Sequence, residues 1–408
     1  DGDETEVTHG NFIKFMESHD RDVRKNAYNA VYDAYKELIN TIASAYNYNT
    51  KTDVVSARIR KYESARAAAL SGDNIPAEVY DNLVAEVHKN LPAMHRYVEL
   101  RKKLLGVDKL YMYDMYVPLI KLPETSVSFE EGLDIMRDAL QPLGEEYLTK
   151  MNKGIEEGWI DVYENKGKTS GAYSFGCYDS YPYILLNYTD TLKDVFTIIH
   201  EMGHSMHSRY TRDEQPYIYG SHSIFTAEVA STVNESLLMQ HLLRTEDEKE
   251  MRKYLLNMHL EEFRTTLFRQ TMFAEFEDIT HKTIESGETL TAEWMCQQYE
   301  DLNAQYYGSA VEKDDVIRYE WARIPHFYNA FYVYKYATGY SAATAISKKI
   351  LTEGKPAAQD YIRFLKTGES DHPIELLKIA GVDMSSPLPV QQAMETFNQL
   401  LDEFESLL

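Results

Sequence analysis

Cysteine is nearly missing from this sequence: its 408 residues hold two, Cys177 and Cys296. Two cysteines that far apart form neither a zinc-ligand spacing nor a disulfide framework, and a reducing cytoplasm suits such a chain. Long apolar runs are missing too, so no stretch approaches the roughly 20 residues that span a bilayer. The first ten residues, DGDETEVTHG, are acidic and polar, unlike a signal peptide. They also lack an initiating Met, which is expected of a processed product. Positive charge is in deficit: 42 Lys and Arg stand against 65 Asp and Glu, a net charge of −23. The acids are spread along the chain, so its surface repels phosphate backbones and argues against a nucleic-acid partner. No Ser-, Pro- or Gly-rich linker divides the chain, and a single domain over residues 1–408 is expected.

What remains is ordinary globular material, 44% hydrophobic and 26% charged. Apolar residues recur at three- and four-residue spacing over Phe12–Tyr48, Val54–Leu70 and Pro76–Leu105, which predicts helices there. His9, His19, His88 and His95 fall in or before these segments without ligand spacing and read as surface or capping residues. A further helical run, Val127–Lys153, follows a turn containing Pro123. Residues 155–190 change character. Gly, Tyr and β-branched residues predict short strands at Trp159–Tyr163, Gly171–Cys177 and Pro182–Tyr188, the last at a sheet edge because of Pro182. Residues 191–408 return to helix, over Phe225–Leu243, Glu246–Ser286 and Thr291–Tyr307. Glu312–Pro325 is partly irregular, Phe327–Tyr336 and Ser341–Leu351 are helical around Gly339, and Val390–Leu407 closes the chain. The fold class predicted is mainly α, with a small sheet.

The chemistry concentrates in Thr191–Tyr210, TLKDVFTIIHEMGHSMHSRY. On a helix His200 and His204 lie one turn apart on one face, where two imidazoles can hold one zinc ion. Glu201 is offset around the helix, so it can act on a water at the metal without being a ligand. This is the H-E-x-x-H arrangement of a zinc hydrolase. A catalytic zinc takes three protein ligands and a water. Glu228, in the apolar stretch SIFTAEVASTVNE, is the leading third ligand, because a carboxylate there needs a charge partner. His207 and His222 are rivals: His207 reads as packing behind the ligands, and His222 as a loop residue that touches substrate. Glu235, two turns after Glu228, and Asp194, on the metal helix, are both candidates to accept the second N–H of a ligand histidine.

HEMGHSMH followed by TAEVASTVNE resembles the thimet oligopeptidase and oligoendopeptidase family of zinc metallopeptidases, its oligoendopeptidase F branch above all. The resemblance implies a large helical zincin-type domain with a peptide-binding cleft and one zinc ion per chain. It implies His200, His204 and Glu228 as ligands, Glu201 as general base and Glu235 as the supporting acid. GKTSGAYS resembles the family's Gly-rich segment, which puts Gly171, Ala172 and Tyr173 at the substrate. Pro182–Tyr188 resembles the strand flanking the metal helix, an edge that could pair with an extended peptide. RIPHFYNAFYVYKYATGYSAA resembles the region that hydrogen-bonds the substrate carbonyl. His326 matches the family histidine; Tyr332, Tyr336 and Tyr340 share i, i+4, i+8 spacing, with Tyr334 as a rival. Gly339 suggests a loop that bends the face carrying Tyr340. Family members carry a further N-terminal helical segment, and this chain begins at the helices that follow it.

The implied function is hydrolysis of internal bonds in short peptides. A zinc aminopeptidase is the alternative, though GAYS lacks the amine-anchoring acid of that class. A non-catalytic peptide-binding relative is the third reading, and the intact Glu201 argues against it. The oligomeric state stays open.

Overall fold

The computed structural model describes residues 5–121 and 126–408; the turn expected at Pro123 lies outside them. The chain divides into two compact units. One comprises Asp1–Gly72, Val87–Lys121 and Phe268–Tyr334, and the other Asp73–Glu86, Leu122–Leu267 and Lys335–Leu408. The mainly helical fold class holds in both.

The first unit is built from helices whose breaks the apolar spacing did not reveal. The helix expected over Phe12–Tyr48 is three: Phe12–Met16, Arg21–Glu37 and Ile39–Ile59. Asp20 starts the second by accepting from the backbone N–H groups of Asp22 and Val23, a cap that competes with helix continuation. Ser64 likewise caps Ala65–Ser71 and divides the segment expected as Val54–Leu70. The core is aromatic. Tyr46 packs against Phe276, Trp321 and Phe327 with ring centroids 6.1–6.4 Å apart. Fully buried Asp114 binds Arg24 at 2.7 Å and Arg21 at 2.8 Å.

The second unit holds the sheet and the H-E-x-x-H helix. The strands are β1 (Ile160–Asp161), β2 (Tyr173–Phe175) and β3 (Tyr183–Leu185), each shorter than expected. Their order is β1-β3-β2, with β3 parallel to β1 and antiparallel to β2. This corrects the edge assignment: β3 is central, with buried Ile184 in register with both neighbours, and Pro182 precedes the strand rather than marking an edge. β2 is an edge strand.

The metal helix, Leu192–Glu214, starts at Thr191, whose hydroxyl accepts from Asp194 N–H while the Asp194 carboxylate accepts from Thr191 N–H. Its buried face presents Val195, Ile198, Ile199, Met202 and Met206, all fully enclosed. Burial of side chains this size contributes about 1.5–3 kcal/mol each. The helix Ile224–Thr245 packs closely against it. A Cβ on Gly203 would lie 2.6 Å from Ser231 Cα and 2.7 Å from Ala230 O, so only glycine permits this approach.

Candidate metal centre

The close packing at Gly203 brings Glu228 to the two histidines. His200 Nε2 and His204 Nε2 lie 3.1 Å apart, and Glu228 Oε2 is 3.5 Å from each. A tetrahedral zinc with ligands at roughly 2.0–2.2 Å has ligand atoms roughly 3.3–3.6 Å apart. The triangle of 3.1, 3.5 and 3.5 Å is therefore close to one face of such a tetrahedron. Among the described residues, these three form the group of His, Cys, Asp or Glu whose ligand atoms converge within metal-binding distance.

Surrounding groups orient the triangle. His200 Nδ1 meets Glu235 Oε1 at 3.2 Å. Burial lowers the His200 pKa, but the bond to Glu235 and the charges of Glu235, Glu228 and Glu201 outweigh it and raise it to about 9. Burial raises Glu228, yet His204 and His200 pull it down to about 2. Ser231 Oγ donates to Glu228 Oε2 at 3.2 Å. Asn234 Nδ2 donates to Ile199 O at 3.2 Å and ties the carboxylate helix to the turn before His200. Neither Ser231 nor Asn234 was found by sequence reasoning. A polar residue one turn from a candidate ligand on a buried face was the available signal.

Glu201 is buried beside the triangle, and burial raises its pKa above the usual carboxylate value against the pull of His200 and His204. The backbone N–H of Ser174 in β2 also acts to lower it. Ser174 Oγ also lies 2.7 Å from Ser205 Oγ on the metal helix. The metal helix thus touches β2, and it also touches the start of β3, where Ser205 Oγ donates to Pro182 O at 3.2 Å. Gly171 and Ala172 lead into it and line a cavity of about 250 Å³ with Thr197, and Tyr173 is half exposed on it. A cavity of about 500 Å³ opens against His200 and Glu201, lined by Phe196, Tyr254 and Met258 among others.

Asp194 does not meet His200 or His204, contrary to its expected role as an acceptor for one of them. Its Oδ2 accepts from the N–H and hydroxyl groups of Thr189 and Thr191 at 2.7–3.0 Å, so it is committed to the helix start. The carboxylate at His200 Nδ1 is that of Glu235. His207 is buried and stacks on His222, with centroids 4.1 Å apart and planes 11° apart. Burial, with His222 and His204 nearby, holds the His207 pKa well below its usual value, so it packs as a neutral ring. Burial lowers His222 to about 4, and the His204 and Glu228 charges are among those acting on it.

The expected ladder of tyrosines is broken. The helix Tyr334–Glu353 runs through Gly339, where no loop forms, and it begins after Tyr332. Tyr336 and Tyr340 stay one turn apart on that helix. Tyr332 instead stacks on His326 in the first unit, with centroids 5.8 Å apart and planes 8° apart. Tyr340 is buried edge-on to Phe263 at 5.0 Å, and Tyr334 is buried as well.

The sequence profile described as Peptidase family M3 matches residues 14–396. Oligopeptidase PepF of Bacillus subtilis is 54% identical over 408 residues, covering 100% of this chain and 61% of that protein. Group B oligopeptidase PepB of Streptococcus agalactiae is 45% identical over 407 residues, covering 100% of this chain and 68% of that protein. The crystal structure of oligoendopeptidase-F from Enterococcus faecium superposes with a TM-score of 0.83 at 41% identity, covering 100% of this chain and 67% of that one. The chain thus spans about two thirds or less of these relatives' length.

Proposed function

The chain belongs to peptidase family M3, and from that membership we propose that it is a zinc-dependent endopeptidase. Its substrates in this reading are short oligopeptides cut at internal bonds, and residues 1–408 work as one catalytic domain. The observation that carries the reading is the His200–His204–Glu228 triangle with Glu201 buried beside it. Two imidazoles and a carboxylate suit zinc. When bound, zinc supplies a Lewis acid that polarises the scissile carbonyl and acidifies water.

His200, His204 and Glu228 are the proposed ligands for one ion per chain. Glu235 accepts from His200 Nδ1–H and so leaves the Nε2 lone pair for the metal. Glu201 takes the proton of the attacking water and delivers it to the leaving amine; its raised pKa makes it a better base than a solvated carboxylate. His326 and Tyr332 are assigned by the family pattern to the carbonyl oxygen, where charge develops. Tyr336 and Tyr340 are assigned to the same oxygen by the family pattern, and burial makes Tyr340 the less accessible of the two. The peptide main chain pairs along β2, with Gly171, Ala172, Tyr173 and His222 as its contacts. Cys177 and Cys296 are free thiols, in keeping with a cytoplasmic location. No helix among the described residues is long and apolar enough to cross a membrane.

The test is Glu201→Gln, which should keep one zinc per chain and lose at least about 10²-fold in kcat on a peptide blocked at both ends. Normal turnover by that variant removes Glu201 as the base. Wild-type cleavage confined to peptides with a free N-terminus favours the aminopeptidase instead.

A further inference from the structure

Glu277 is a carboxyl with no exposure at all, on the helix Arg269–Glu285 of the first unit. Burying such a group is expensive, and burial pushes its pKa well above the usual value, against the hydrogen bond from Phe331. Its Oε2 has no hydrogen-bond partner among the described residues. Its Oε1 accepts the backbone N–H of Phe331 at 2.6 Å.

Phe331 is itself unusual, with φ of 55°. A left-handed backbone is unfavourable for a bulky L-residue, and it persists only where the surroundings impose it. Here two contacts impose it. The N–H is held by Glu277, and the buried ring packs on His281 with centroids 4.6 Å apart. The consequence is local. The chain leaves the 3₁₀ turn Pro325–Tyr328, reverses at Phe331, and carries Tyr332 back over His326 before the next helix starts at Tyr334.

We propose that Glu277 is a positioning residue for the peptidase reaction: its buried carboxyl fixes the left-handed Phe331 that stacks Tyr332 on His326. This rests on the reading that His326 and Tyr332 bind the oxygen of the scissile carbonyl. A buried acid 54 residues away in sequence then serves that pair through one backbone hydrogen bond.

The experiment uses zinc-loaded full chain and an internally quenched peptide, with metal content measured on each variant. Glu277→Gln keeps an acceptor oxygen, and its kcat should stay within about threefold of wild type. Glu277→Met removes the acceptor at similar volume. Its kcat should fall about tenfold to a hundredfold with KM changed less than about threefold, the penalty of a misplaced group. Amide exchange at Phe331 should be slow in wild type and Glu277→Gln and fast in Glu277→Met. In a His326→Ala/Tyr332→Phe background, Glu277→Met should cost less than about threefold more, because the groups it positions are gone. A general structural role would lower the melting temperature and multiply the loss in every background. Should Glu277→Met not fold, Glu277→Asp withdraws the carboxyl by one methylene and carries the same comparison.

Full kcat in Glu277→Met, or an undiminished loss in the background without the pair, overturns the inference alone. Wild-type kcat in His326→Ala/Tyr332→Phe removes the reading of the pair, and the inference with it.

Discussion

His200 makes two commitments at once, one per ring nitrogen: Nε2 faces His204 and Glu228, and Nδ1 meets Glu235. Removing the second should loosen the first. Glu235→Ala is expected to weaken zinc binding about 10- to 100-fold, read by competition with a chelator of known affinity; unchanged affinity would detach Glu235 from the site. The same carboxylates outweigh burial and raise the His200 pKa to about 9, so a proton competes with metal for the imidazole at neutral pH. Metal must displace that proton. Zinc affinity should therefore climb with pH, roughly tenfold per unit from pH 7 to 9, with about one proton released per ion. A flat affinity across that range contradicts the assignment. At this scale the sequence was legible where chemistry has a fixed spacing. His200, Glu201 and His204 are four residues apart at most, and Glu228 and Glu235 follow on one helix face. It was illegible where a partner is distant in sequence, as with Ser174 and Ser205 or Glu277 and Phe331.

Gly203 decides how near the metal helix and the carboxylate helix can come. Any side chain there meets Ser231 and Ala230 backbone below 3 Å. Gly203→Ala should destabilise the protein by about 1–3 kcal/mol through overpacking. It should also weaken zinc binding, since Glu228 is carried by the displaced helix. Denaturant melts with and without zinc would show both effects, and an unchanged zinc affinity would separate the packing from the ligand set. Elements as such were well read from periodicity, but their ends were not. Asp20 breaks a helix that apolar spacing runs through, because a cap is one residue and leaves the pattern of its neighbours intact. Gly339 misled in the other direction: it reads as a breaker, yet it is buried inside a continuous helix. The order of strands was likewise hidden. A proline before β3 suggests an edge, whereas pairing on both sides is settled by contacts that no local window contains.

The molecule carries a net charge of −23, and much of its acid is ordinary surface. Asp114 is not: it is fully buried between Arg24, also buried, and Arg21. Burial raises its pKa, but Arg21, Arg24 and the Tyr111 N–H lower it below the usual value. A depressed folded-state pKa contributes stability above the unfolded value, near 4, that is lost as pH falls through the folded value. Asp114→Asn should thus cost about 3–5 kcal/mol at neutral pH, leaving Arg24 without its counter-charge. The difference from wild type should shrink below about pH 4. An equal difference at pH 7 and pH 3 would refute the charge origin. Catalysis by the chain is tested by hydrolysis by purified protein of an internally quenched peptide blocked at both ends, with metal content read before and after chelation. One zinc per chain is expected, with cleavage that stops when the zinc is removed and returns when zinc alone is restored. Cleavage unaffected by complete removal of metal, or a chain that binds no zinc at neutral pH, would contradict this expectation.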